Sequence, residues 1–253
     1  MTTEQILIAL AIGLVTGFAS GLIGLGGGIF LTPMLRIFLG TPAFLALATP
    51  LPVLIPTAIS GSVAYYKERL ADFKLGALML ATALPMTWLG ASLVPSFGGR
   101  MLMLWTAGFI MLVAGSFIVR SIILKERVDD QHHRPNVGMA LTIGAIGGFF
   151  AGLLGIGGGV IYIPAILRFF RRPMKVAQAT SLAMVVIVAA LGTIKHSMLG
   201  NIDWTLAAIL ACATIPAGYL GARVAIKLRN RTLERIFGVL TMIFGIYFLI
   251  TEL

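Results

Sequence analysis

Six glycines carry the most unusual chemistry in this sequence: Gly26, Gly27 and Gly28 in GLIGLGGGIFLTP, and Gly157, Gly158 and Gly159 in GLLGIGGGVIYIP. Each cluster stands inside a strongly apolar stretch, where one glycine costs a helix about 1 kcal/mol relative to alanine. A break there exposes backbone N–H groups and the positive end of the following half-helix, and both can hold an anion. Hydroxyls able to complete such a site follow in matching places, Thr49 in LATPL and Thr180 with Ser181 in QATSL. Each has a proton to donate to an anion's oxygen. Lys195 and His196, in TIKHSML, add a cation and an imidazole that titrates near neutral pH, able to attract an anion or relay a proton. Tyr65 is the register partner of His196 in the repeat described below.

Each residue also has a plainer reading. Small residues spaced at four let helices pack closely, which suits Gly17, Gly21, Gly144, Gly148 and Gly152. A triple glycine exceeds what packing requires. A nucleotide-phosphate loop fits poorly, because no strand precedes the glycines and no GK[ST] follows. A threonine hydroxyl can bond its own i−4 carbonyl, and Lys195 can snorkel to the membrane surface. Asp72 and Asp203 are placed to cap the helices that follow them. Arg36 reads either as vestibule charge or as an interfacial anchor, and Arg223 as a snorkelling side chain. Pro50, Pro52 and Pro56 interrupt helical bonding and mark a hinge or a fixed bend.

Enzyme chemistry lacks its parts. Two of the three histidines, His132 and His133, sit together in VDDQHHRP, and no HExxH or paired intramembrane carboxylates occur. The lone cysteine, Cys212, excludes a disulfide framework. No cofactor and no metal are expected.

The elements that position these residues are membrane helices. The 253-residue chain is 58% hydrophobic and 11% charged, far too apolar for a soluble surface. Apolar runs long enough to span a bilayer occupy residues 43–66, 73–94, 101–123, 176–197, 204–226 and 233–250. Period-two alternation, the mark of a membrane barrel, is absent. The net charge of +10 sits in short clusters between spans, where it sets orientation and gives no basic face for nucleic acid. MTTEQ lacks the basic region of a cleaved signal peptide, so the first segment is expected to stay.

Sliding the chain by 131 residues aligns its halves without a gap from Gly13 to near Leu93, with roughly a third of positions identical. Pro33 meets Pro164, Pro42 meets Pro173, Gly61 meets Gly192, Asp72 meets Asp203 and Pro85 meets Pro216. Cations concentrate at Lys67, Arg69 and Lys74 and at 120–134, 168–175 and 227–235, which predicts cytoplasmic loops. The cation-poor connections at 40–44, 95–99 and 200–203, and both termini, are expected outside. Equivalent loops then face opposite sides, so the halves read as inverted repeats, a common transporter build. Segments 6–39 and 137–170 must each return to their starting side within 34 residues, whereas two full spans need about 40. Each is expected to be a pair of short, broken or re-entrant helices meeting at the glycines. The expected fold is an all-α polytopic membrane protein of two five-segment halves, at 1–123 and 138–253, joined by a cytoplasmic connector at 124–137.

GLIGLGGGIFLTP and GLLGIGGGVIYIP, the following LATPL and QATSL, and the later LGNIDW and YLGARVA resemble the TauE/SafE family of sulfite exporters and related anion permeases. The resemblance covers nearly the whole chain. In the first half LATPLPVLIP departs from it, with prolines in place of the usual Thr-Ser and aliphatic run. It implies a bacterial inner-membrane transporter of sulfite, sulfoacetate or a related small organosulfur or organic anion. The resemblance points to the same threonines and serine as anion ligands.

The expected function is a secondary permease working by alternating access, with an anion channel and a membrane-embedded enzyme as rivals. No Walker motif offers ATP coupling. An inside-negative potential favours monoanion exit by about 2.3 kcal/mol per 100 mV, so export needs no coupling, whereas uptake needs a co-transported proton or cation. The lipid bilayer and the small anion are the expected partners, with a homodimer as a further candidate.

Overall fold

The computed structural model describes residues 2–123 and 136–252; His132, His133 and nearly all of the 124–137 connector lie outside them. All regular structure among the described residues is helical. The first half runs α1 (Thr3–Ile23), α2 (Gly28–Leu39), α3 (Ala43–Ala48), α4 (Pro50–Lys67), α5 (Phe73–Leu93) and α6 (Gly99–Ile123). The second runs α7 (Val137–Leu154), α8 (Gly159–Phe169), α9 (Met174–Met198), α10 (Trp204–Lys227) and α11 (Asn230–Glu252). Four pairs of helices or joined helices begin in equivalent places: Gly28, Ala43, Phe73 and Gly99 stand 131 residues before Gly159, Met174, Trp204 and Asn230.

Among the described residues, seven helices are long and apolar enough to cross a membrane, counting α3 and α4 as one from Ala43 to Lys67. Three shorter apolar ones remain: Gly28–Leu39, Gly99–Gly115 and Gly159–Phe169. The chain is a multi-pass membrane protein. The aspartates do cap: Asp72 Oδ1 accepts the Leu75 N–H at 3.1 Å and Asp203 Oδ1 that of Leu206 at 2.9 Å. Between α3 and α4 the ladder lapses at Thr49 while the backbone stays right-handed helical, at φ −57° and ψ −32°. Pro50 and Pro52 have no N–H to give the carbonyls four residues back, which is why bonding lapses without an outright turn.

The halves interleave. α1 packs most extensively on α10 and α7 on α5, so each first helix takes its main partner from the opposite half. α10 also packs on α4, α5 on α9, α4 on α9 and α6 on α11. Gly17 lies against the Thr214 backbone and Gly21 against the Gly218 carbonyl. In the other half Gly148 lies against the Ala83 carbonyl and Gly152 against that of Thr87. A side chain at any of these four positions would drive helix backbones apart, so the close-packing reading of this stripe holds.

Candidate functional site

Both glycine clusters break their helices. Gly24, Gly26 and Gly27 at the first break, and Gly155, Gly157 and Gly158 at the second, all have positive φ, which no other residue type adopts cheaply in such a run. The chain leaves α1 and α7 through left-handed turns and re-enters helix at α2 and α8. Residues 21–33 and 151–160 are entirely buried.

The breaks touch each other. A Cβ on Gly28 would stand 2.9 Å from Ile156 Cα, and one on Gly159 would stand 2.8 Å from the Leu25 carbonyl oxygen. Leu54 and Val185 bridge the pair. A Cβ on Gly26 would lie 2.7 Å from Val185 Cγ1, and one on Gly157 would lie 2.7 Å from Leu54 Cδ1. Ile156, Gly157, Gly159 and Val185 stand 131 residues beyond Leu25, Gly26, Gly28 and Leu54, so the contacts interchange between halves.

The two ends at each break are treated differently. At the carbonyl end of α1, the Gly24 N–H reaches Ser20 O at 2.7 Å, and Gln178 Nε2 donates to Leu22 O and Ile23 O at 3.0 and 3.1 Å. The Tyr65 hydroxyl donates to Gln178 Oε1 at 3.2 Å, with Gly21 O at 3.4 Å. At the carbonyl end of α7, His196 Nε2 lies 2.9 Å from Gly152 O; a carbonyl only accepts, so Nε2 carries the proton. Donors thus meet Ser20 O, Leu22 O and Ile23 O at the negative end of α1 and Gly152 O at that of α7.

The amide ends of α2 and α8 have glycine N-caps, no side-chain cap and no acidic residue in the first turn. Next to them lie buried hydroxyls with no hydrogen-bond partner. Ser20 Oγ lies 3.3 Å from where a Gly27 Cβ would stand, Tyr162 Oη 3.0 Å from that of Gly158, and Ser181 Oγ 2.9 Å from that of Gly159. All three residues are at most 1% exposed. Uncapped helix N-termini beside unspent hydroxyls are elements from which an anion site can be built without a charged side chain.

The remaining candidates fall elsewhere on the framework. Thr180 Oγ1 accepts the Asp72 N–H at 2.9 Å and Thr49 Oγ1 that of Asp203 at 3.1 Å, so both tie one half to the other. Each keeps its own proton to donate. Lys195 Nζ lies 4.9 Å from the centre of the Trp88 ring on α5, a cation–π contact, whereas the adjacent His196 faces α7. Arg36 pairs with Glu252 at 2.7 Å and donates to Thr41 O at 3.2 Å, fastening α2 to the end of α11. Arg172 pairs with Asp72 at 2.8 Å, and Lys175 donates to Ile226 O at 2.5 Å. The positions equivalent to Arg172 and Lys175 hold Thr41 and Phe44. Arg223 lies over the Tyr219 ring, exposed.

Three residues of the site escape the sequence reading: Ser20, Tyr162 and Gln178. Gln178 stands in the quoted QATSL and is an amide on an otherwise apolar helix, which was a usable signal. Ser20 and Tyr162 border the breaks, but nothing in their spacing separates them from packing residues.

The family model for the sulfite exporter TauE/SafE matches residues 9–248. The "Probable membrane transporter protein YunE" of Bacillus subtilis (strain 168) is 30% identical over 94% of this chain and 95% of its own length. The "Probable membrane transporter protein" of Xylella fastidiosa (strain Temecula1) is 26% identical over 98% of this chain and 96% of its own length. The "Probable membrane transporter protein MJ0441" of Methanocaldococcus jannaschii is 23% identical over 96% of this chain and 95% of its own length. No solved structure matches. These relatives are transporters by name and not enzymes, and the chain belongs to the TauE/SafE sulfite exporter family of membrane transporters.

Proposed function

We propose that this protein is a secondary transporter that carries a small oxyanion, such as sulfite, sulfoacetate or a related organosulfur anion, across the bacterial inner membrane by alternating access. The observation that carries this reading is the pairing of two uncapped helix N-termini with buried, unpartnered hydroxyls at the contact between the breaks. The amides at Gly26–Gly28 and Gly157–Gly159 and the hydroxyls of Ser20, Tyr162 and Ser181 hold the anion. Gln178, held by the Tyr65 hydroxyl, and His196 contribute by occupying the opposing carbonyl ends.

Because the breaks are buried, an anion reaches them only when the halves part. The five-segment halves are inverted in the membrane, with the basic loops cytoplasmic and both termini outside; the interchange of helix contacts supports this arrangement. Thr49 and Thr180, on the seam, loosen or re-form as the halves rock, and their protons become available to the passing anion. Lys195 serves as a surface cation on α9. The inside-negative potential drives export, and uptake would require a proton or cation in company.

Reconstitution into liposomes tests the reading. Labelled sulfite or sulfoacetate should show saturable flux and counterflow. Ser181→Ala and Tyr162→Phe should each raise the half-saturating concentration, since a hydrogen bond to a charged group contributes about 1.5–3 kcal/mol. Current that never saturates would establish a channel instead, and chemical conversion an enzyme.

A further inference from the structure

We propose that Arg36 and Arg172 are entry sites for the transported anion, each held closed by a carboxylate that stands in for the anion until one arrives. This inference rests on the anion reading above and adds a second set of binding residues, away from the breaks.

The two short helices that start at the breaks have a guanidinium near their other ends. Arg36 lies in the last turn of α2, about 12 Å along the helix from Gly28. Arg172 follows the end of α8 at Phe169. Each pairs with a carboxylate of the opposite half, Arg36 Nε with Glu252 Oε1 at 2.7 Å and Arg172 with Asp72 Oδ2 at 2.8 Å. An anion bound for the breaks needs the halves to part, and these pairs join them.

Duplication does not explain the likeness of the two ends. In register, Arg36 matches Leu167 and Glu252 matches Ser121, so neither member of the first pair has a charged counterpart. Arg172 matches Thr41, yet Arg36 Nη1 donates to the Thr41 carbonyl at 3.2 Å. The Arg36 guanidinium thus comes to the place in the first half that Arg172 holds in the second. A feature rebuilt from unrelated residues at matching places answers a demand made on both ends.

Both carboxylates are placed to give way. Glu252 closes the last turn of α11, where the negative end of the helix disfavours its charge, and the Arg36 side chain that holds it is 33% exposed. Asp72 Oδ1 is held by the Leu75 N–H, so releasing Arg172 from Oδ2 leaves the cap in place. Arg172 Nε is buried without a hydrogen-bond partner, a donor left over for a second oxygen. A guanidinium offers a fork of N–H groups to any oxyanion, so sulfite or a sulfonate can take the carboxylate's position. Partly exposed pairs contribute little, which makes the exchange easy. Once it occurs, the tie between the halves is lost and that end can open.

The test measures the half-saturating concentration of labelled sulfite with the full chain in liposomes. Removing the stand-in, by Glu252→Gln or Asp72→Asn, should lower it by up to about five-fold, because the anion no longer competes with a carboxylate. Removing the receptor, by Arg36→Gln or Arg172→Gln, should raise it by about five-fold or more. A pair that serves the fold alone would respond alike to the loss of either member, so opposite signs are the signature. Arg36→Gln strands the Glu252 carboxylate, whose side chain is 6% exposed, and can unfold the chain. The double variant Arg36→Gln with Glu252→Gln leaves no charge unpaired there and should still show the raised value. Shifts of one sign for both members of each pair, or no shift, would overturn the entry sites and leave the anion transporter standing. If the wild-type chain moves no labelled anion, the anion reading itself fails, and this inference with it.

Discussion

The Thr180 hydroxyl accepts the backbone N–H of Asp72 at 2.9 Å, joining α9 of the second half to the start of α5 in the first. Thr49 and Asp203 repeat the bond at 3.1 Å with the halves exchanged. In each pair the aspartate side chain caps its own helix while the threonine takes up the N–H that the cap leaves over. The seam between the halves is therefore cross-tied by two equivalent bonds.

Thr180→Val keeps the shape of the side chain and removes the acceptor. Leaving this part-buried N–H unmet should cost about 1 kcal/mol, seen as a lower unfolding midpoint in detergent, and Thr180→Ser should recover most of it. Thr49→Val should behave alike. Indifference of both sites to valine would show that the ties carry no stability.

The glycines separate by what surrounds them. Gly28→Ala places a methyl within 2.9 Å of Ile156 backbone and should abolish transport or folding. Gly108, on α6, has no atom within 4 Å of its would-be Cβ, so Gly108→Ala should be neutral or stabilise by up to about 1 kcal/mol. Counterflow and thermal unfolding measured on both variants give the comparison.

Gln178 should prove as sensitive as the glycines. Gln178→Leu leaves Leu22 O and Ile23 O without their donor and should destabilise by about 1–3 kcal/mol. Gln178→Glu should weaken anion transport further, because it puts an acceptor where the carbonyl end of α1 requires a donor. Equal flux in the Leu and Glu variants would sink the idea that masking this end matters to the anion.

Asp72 has two duties that substitution can separate. Asp72→Asn keeps a capping oxygen and loses the ion pair with Arg172, whereas Asp72→Ala loses both. The pair is partly exposed and should contribute no more than about 1 kcal/mol, screened by salt. The cap should contribute about 1 kcal/mol whatever the salt. Unfolding midpoints at low and high salt should therefore separate Asn from wild type at low salt only, and Ala from both throughout.

Orientation is open to labelling. In a Cys212→Ala background, single cysteines replacing Thr41 and Arg171 should react from opposite sides of the membrane. Reaction of both from one side would refute the inverted arrangement.

Much of this molecule was legible in one strand of sequence. Residues 204–226 were readable as a span because apolar residues dominate them up to a cation cluster, and the helix occupies Trp204–Lys227. Asp72 and Asp203 were readable as caps because capping is a local interaction. The glycine clusters announced breaks because so many glycines in an apolar run defeat a helix. What stayed hidden depends on residues distant in the chain. Gln178 meets carbonyls 155 and 156 positions away, and no periodicity encodes that meeting. Lys195 and His196 are neighbours in sequence, yet one lies by Trp88 on α5 and the other reaches Gly152 on α7. Helical rotation alone could not say which helix each would find.

The interleaving of α1 with α10 bears on how the protein is made. A ribosome delivers α1 first and α10 almost last, so the Gly17 and Gly21 stripe must wait in the lipid for nearly the whole of synthesis before its partner arrives. A truncated first half would leave that stripe uncovered. The two halves expressed as separate chains should each be degraded alone and rescue one another only when made together.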